Sequence, residues 1–285
     1  MGNKPLGAIK HLVPIAAVLA AAMIGTGCSQ EGTSGGAADG ADSVAYYAAV
    51  EMEDEAARLA ALQTLQEEFP ESPYADRAYA RIVPLTREHH PERVESILQE
   101  ILDAEIEEAA VYNAVGWPLA EDAEHLDLAV PILDKAVTLA RAEDDTLGLA
   151  ASLDSYAWAL HQDGRSEEAV APMEEAYGIY GSEYDEITRH MAMIYDDAGR
   201  DEDALPLYVS LLGHSASPMI RERLEGVVGE TGRSMEEVEK QIRAQRIAGM
   251  TPAPELVFPS LADATPVSLA DHRGKVVLVN FWHPT

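Results

Sequence analysis

The sequence predicts a mostly α-helical protein: an α–α superhelix of stacked helical hairpins, followed by an incomplete α/β segment of β-strands. Three observations carry this. Apolar residues recur at three- and four-residue spacing from Val44 to Ile247 with no strand-like alternation. A phrase repeats, "GRSEEAV" at 164–170 and "GRDEDAL" at 199–205, a shift of 35 residues, and a fixed period in that range marks stacked helix pairs. Past residue 250 the style changes to prolines, short apolar pieces and a closing "GKVVLVNFWHPT". Val276 to Trp282 there form a continuous β-branched and aromatic run, suited to a strand covered on both faces.

The elements follow in chain order. Residues 1–11 carry Lys4, Lys10 and His11 without an acid, and "LVPIAAVLAAAMIGT" after them is apolar, small and short for a membrane span. Residues 1–28 therefore read as a signal peptide. Its "IGTGCSQ" resembles the lipobox of bacterial lipoproteins, with Gly25 where an aliphatic residue is usual. That resemblance implies lipidation at Cys28, a membrane anchor, and a place in the cell envelope facing the periplasm or extracytoplasmic space. An uncleaved anchor and a plain signal peptide are the alternatives. Residues 29–43, rich in Gly, Ser, Ala and Asp, read as a flexible tether.

Residues 44–247 form the helical repeat domain. In the unit from Leu153 to Tyr180, a first helix puts Leu153, Tyr156, Ala157 and Leu160 on one face. Gly164 ends it as a left-handed cap, and Ser166 is expected to N-cap the second helix, with Glu167 and Glu168 in its first turn. Ala169 and Ala176 are small where helices must approach closely. The next unit repeats the scheme with Ala192, Gly199 and Ala204, and ends on Leu211 in place of a small residue. These positions resemble the tetratricopeptide (TPR) repeat. An earlier unit around "YNAVGWPLAEDAEHLDLAV" fits with extra length in its turn, and "FPESPYADRAYARIV" has the look of a helix junction. Pro131, Pro172 and Pro206 fall inside second helices, where each should kink the helix or remove one hydrogen bond.

The TPR resemblance implies a groove that binds protein or peptide ligands, with a bare spacer as the alternative. Tyr156, Trp158, Tyr177, Tyr180, Tyr184 and Tyr195 are candidates to line it, although aromatic residues at helical spacing more often pack between helices. The histidines show no pair on one helix face with a helpful carboxylate, so no metal is expected, and no cofactor either. With 50 acidic residues against 20 basic ones, a net charge of −30 disfavours nucleic acid as a partner. A single cysteine excludes an intramolecular disulfide and a thiolate cluster.

Residues 251–285 resemble the opening of a thioredoxin-like redoxin of the TlpA/ResA type, and more distantly the peroxiredoxins. The likeness rests on Ala253, Pro254, Leu256 and Phe258, on "VSLADHRGK" from Val267 through Gly274 and Lys275, and on "VVLVNFW" with Asn280, Phe281 and Trp282. Ala264 stands where the hairpin turn usually has glycine. The family places Cys-x-x-Cys just after such a strand, at a helix N-terminus that lowers the thiol pKa. Here Pro284 and Thr285 occupy that approach and no such motif follows, so the resemblance implies a fragment without its catalytic residues. Three functions result. The first is a fragment of an envelope-anchored thiol–disulfide oxidoreductase, whose partners would be thiol and disulfide proteins if the domain were complete. The second is a non-enzymatic repeat lipoprotein that binds partner proteins, and the third a peroxiredoxin-like peroxidase fragment.

Overall fold

A computed structural model describes residues 40–181, 184–251, 255–260 and 262–278. Cys28, the signal segment, most of the tether, and Asn280, Phe281, Trp282 and Pro284 lie outside them. Twelve α-helices come first among the described residues. They are α1 (Ala41–Val50), α2 (Glu55–Glu68), α3 (Pro73–His89), α4 (Val94–Asp103), α5 (Ala109–Glu121) and α6 (Leu126–Ala140). Then come α7 (Thr146–Gln162), α8 (Ser166–Tyr180), α9 (Asp185–Asp197), α10 (Asp201–His214), α11 (Pro218–Thr231) and α12 (Met235–Gly249).

Helix starts are written in the local sequence. Ser72 caps α3 by accepting the Tyr74 amide at 3.1 Å, with Pro73 in the first helical position. Asp145 caps α7 through the Gly148 amide at 3.0 Å, and Ser217 caps α11 through that of Ile220. At the front of the chain, α1 takes in Ala41–Ser43, which composition alone assigned to the tether. Tertiary contacts explain the difference: Ser43 is buried, and the Asp42 carboxylate accepts the Ser72 hydroxyl at 2.6 Å.

The helices pack as antiparallel pairs, α5 with α6, α7 with α8 and α9 with α10, and each pair stacks on the next. This is a TPR-like helical repeat, and the small repeat residues sit where it is tightest. Ala157, Ala169, Ala176, Ala192 and Ala204 are all fully buried. Leu211 is buried too, so the second unit accepts a larger side chain at that place. The first pair follows the same plan with Gly116, Ala129 and Ala136. A Cβ on Gly116 would lie 2.5 Å from Leu133 Cγ, so only glycine allows α5 and α6 to meet there.

The turns also repeat. Gly164 and Gly199 take φ of 77° and 71°, and the following amides, Arg165 and Arg200, return to the carbonyls of Leu160 and Tyr195 at 2.9 and 2.8 Å. This is the six-to-one closure of a Schellman motif. The α5–α6 turn makes the same bond from Glu124 to Leu119, but with Ala123 at φ 53° in the glycine's place, followed by His125 at φ 48°. This is the extra length that the sequence showed there.

One sequence expectation changes here, and another is met in the second of its two forms. Ser166 does not cap α8; it is the first helical residue, because the Gly164–Arg165 closure moves the helix start past it, and its hydroxyl turns to His161. Pro131, Pro172 and Pro206 lie within unbroken helices. The carbonyls four residues earlier belong to Asp127, Glu168 and Glu202, all exposed, so water can replace the lost donor.

Beyond α12, β1 (Val257–Pro259) pairs antiparallel with β2 (Pro266–Ser268), Phe258 opposite Val267. The hairpin closes with the Ser260 amide on the Thr265 carbonyl at 2.8 Å and Ala264 at φ 56°. A short 3₁₀ turn, Leu269–His272, follows, and Gly274 takes φ 80°. Val276–Leu278, expected to begin a buried strand, are exposed and unpaired. The reason is topological: β1 and β2 bond to each other, and no third described strand offers this run a ladder or a cover. The described residues therefore hold only a two-stranded hairpin of the expected α/β segment.

Candidate functional site

The first helices of successive pairs, α5, α7 and α9, share one side of the stack. On α5, Asn113, Trp117 and Glu121 recur every four residues and so line up on one face. Ala151, Asp154 and Ser155 of α7, and Glu186 and Ile187 of α9, complete a cavity of about 380 Å³. Tyr180 at the end of α8 and Tyr184 just before α9 flank its mouth, their rings 5.2 Å apart. Burial is the main cause that pushes the Tyr180 phenol above its ordinary pKa, with help from the Asp154 and Tyr184 charges. The Oδ1 of Asn113 is shut off from solvent with no hydrogen-bond donor among the described residues.

Behind this cavity runs a buried polar and aromatic network. His190 of α9 places Nδ1 2.8 Å from Asp154 Oδ1 of α7. The His190 ring stacks on Trp158 at 4.2 Å, with Trp117 at 5.8 Å and the His161 ring at 4.8 Å from Trp158. His161 meets the Ser166 hydroxyl at 3.0 Å through Nδ1 and Asp197 at 3.5 Å through Nε2. Arg223 of α11 then ties Asp197 at 2.6 Å to Asp196 at 3.1 Å, and Asp196 accepts the Tyr208 hydroxyl at 2.9 Å. Burial pushes the Tyr208 phenol well up, and Asp196 adds to it. Burial also lowers the His161 pKa, more than the Asp197 charge raises it.

The aromatic residues named from sequence divide between two roles. Trp158 and Tyr195 are buried in the core, Tyr156 and Tyr177 pack against it, and Tyr180 and Tyr184 face the cavity. Asn113, Trp117 and Asp154 were not singled out by sequence reasoning; the four-residue spacing on α5 was the available signal. The repeat residues Ala157, Gly164, Ala169, Ala176, Ala192, Gly199 and Ala204 build the stack and stay out of the cavity.

No pair of histidines on one helix face with a helpful carboxylate was expected; His190 and His161 each meet a carboxylate from another helix. Glu55, Glu88 and His89 bring one potential ligand atom each within 4.8 Å of one another. A 2.8 Å hydrogen bond between His89 and Glu55 brings those two together, and Glu88 is the chain neighbour of His89.

No protein-family model matches the chain, and no curated protein does. Among solved structures the chain is similar to yeast Tom70, at 18% identity and a TM-score of 0.46, over 73% of this chain and 43% of that one. The chain thus spans less than half the length of that structure. It is also similar to a Podosopora anserina putative kinesin light chain with nearly identical TPR-like repeats, at 18% identity and a TM-score of 0.40, over 69% of this chain and 98% of that one.

Proposed function

We propose that the chain is a non-enzymatic binding module, a repeat scaffold that holds a segment of a partner protein against the face formed by α5, α7 and α9. One observation carries this reading. Trp117, Tyr180 and Tyr184 stand around an open cavity beside an acceptor, Asn113 Oδ1, that finds no donor within the described fold. Apolar walls with a few placed polar groups are the usual make-up of a recognition site. A phage-displayed library of random peptides panned on the chain tests it. Enriched peptides should bind the unaltered chain, lose binding on Trp117→Ala, and keep it when Leu147, exposed at the start of α7, becomes Ala. No enrichment, or binding indifferent to Trp117, would overturn the reading.

A second reading takes residues 251–285 as the opening of a TlpA/ResA-type redoxin on an envelope lipoprotein, with a peroxiredoxin-like opening as its variant. It is supported by the sequence likeness, and by the β1–β2 hairpin that holds Ala264 left-handed where the family has glycine. Since Cys28 is the only thiol, insulin reduction by this chain should stay at the buffer rate; turnover above it would sink the inactive-fragment reading. For the anchor, membrane association in a bacterial host should disappear in Cys28→Ala. Incorporation of labelled palmitate into the unaltered chain should also disappear in Cys28→Ala, and no incorporation into the unaltered chain would rule out lipidation.

A further inference from the structure

We propose that the cavity between α5, α7 and α9 takes an arginine side chain of the bound partner, an inference that rests on the binding reading above. The chemistry of the walls selects the guest. Trp117, Tyr180 and Tyr184 offer aromatic surface, and Glu121, Asp154 and Glu186 offer carboxylates around the same space of about 380 Å³. Aromatic faces attract a cation through the ring quadrupole, and carboxylates do so by charge.

The local supply of positive charge is small. Asp154 meets His190 and Glu186 meets Arg189 at 3.3 Å, while Glu121 has no ion-pair partner among the described residues. An acidic guest would add charge of the same sign here, in a chain that already carries −30. Asn113 makes the stronger demand. It lines the same space and its Oδ1 is buried without a donor; turning that amide toward the cavity lets a guest rich in N–H groups remove the deficit. Guanidinium meets both requirements at once, since its flat face stacks on aromatic rings while its five N–H donors point outward in the plane. A lysine supplies charge without the stacking plane, and a neutral apolar guest leaves Asn113 and the carboxylates unanswered.

Three pools of short fluorescein-labelled peptides, randomised over Gly, Ser, Ala and Leu with a fixed central arginine, lysine or citrulline, separate these guests by anisotropy. The arginine pool should bind about tenfold or more tighter than the citrulline pool, with lysine between them. The Glu121→Gln/Glu186→Gln variant should remove most of that difference. Glu222→Gln/Glu225→Gln, which takes the same charge from α11, should preserve it. Thermal melts by circular dichroism confirm that both variants fold. Equal affinity for the three pools overturns the inference, and so does an equal effect of the two variants, which would mark diffuse attraction to an acidic surface. If displayed peptides bind through Trp117 but the arginine pool shows no advantage, the arginine inference fails and the binding reading stands. If no displayed peptide binds, the binding reading itself fails.

Discussion

His190 on α9 bonds through Nδ1 to Asp154 on α7 at 2.8 Å, across 36 residues of sequence. That separation is one residue more than the 35-residue repeat, so the bond joins two successive hairpins and lies between the cavity wall and the core. His190 is buried and Asp154 nearly so. Hydrogen bonds that involve an ionised group contribute about 1.5–3 kcal/mol, and leaving one buried partner unpaired costs at least as much. Asp154→Ala should therefore lower stability by about 2–3 kcal/mol in urea unfolding. Asp154→Asn, which keeps an acceptor toward the ring, should recover part of the loss. An unchanged unfolding midpoint for Asp154→Ala would remove this bond from the list of forces that join the repeats.

Gly116 makes an opposite kind of prediction, about space. The Leu133 side chain occupies the position that a Cβ on Gly116 would need, at 2.5 Å. Gly116→Ala should destabilise by about 1–3 kcal/mol through overpacking, in spite of alanine's better helix propensity. Leu133→Ala in the same chain should relieve the clash, so the double variant should lose less than the sum of the two single losses. Additive losses, measured by denaturant unfolding, would show that the two side chains do not compete for that space.

The repeat was legible because its rules are local. Glycine at a left-handed cap, small residues at close helix approaches and acids in a first turn leave marks within one hairpin, and Gly164, Ala169 and their counterparts at 199 and 204 could be placed without tertiary knowledge. Ala123 shows where that reading thins out. Its left-handed turn obeys the same Schellman closure as Gly164, yet alanine gives no sequence sign of it. The cavity was hidden for a different reason. Asn113, Asp154 and Glu186 come from three hairpins and meet only after stacking, so the spacing on α5 marks one wall and nothing within a single helix reveals the others. Likewise Ser166 looked like a cap because its hydroxyl is the usual capping group. His161, five residues back, takes that hydroxyl instead.

His161 gives a prediction in pH. Burial holds its pKa below the ordinary value of 6.5, the Arg223 and His190 charges push the same way, and Asp197 and Asp196 oppose them. The folded chain thus resists a proton that the unfolded chain accepts. This contribution to stability is complete above about pH 6.5 and shrinks as the pH falls toward and through the lowered folded value. His161→Asn keeps a polar group near Ser166 but has nothing to titrate. The difference in unfolding free energy between the unaltered chain and His161→Asn should therefore narrow on going from about pH 7.5 to about pH 5.5. A difference independent of pH would mean that His161 binds protons equally in both states.

Ala264 tests how far a hairpin tolerates the wrong turn residue. With φ at 56° it occupies a region that costs a β-carbon about 1 kcal/mol and costs glycine almost nothing. The turn is held by the Ser260 amide on the Thr265 carbonyl, the Ala264 amide on the Ser260 carbonyl, and the Asp263 carboxylate, which accepts the Thr265 hydroxyl at 2.8 Å. Hydrogen bonds from the Thr265 side chain first, then the Ser260 side chain and the Thr265 amide, keep Asp263 below the usual carboxylate pKa. Ala264→Gly removes the strain but loosens the unfolded turn, so the net gain should be smaller than the full steric cost. Hydrogen exchange at the Ser260 amide should slow by about two- to fivefold in Ala264→Gly, and exchange in α5 to α10 should not change. Faster exchange at Ser260 would show that the added freedom of glycine outweighs the strain relieved at residue 264.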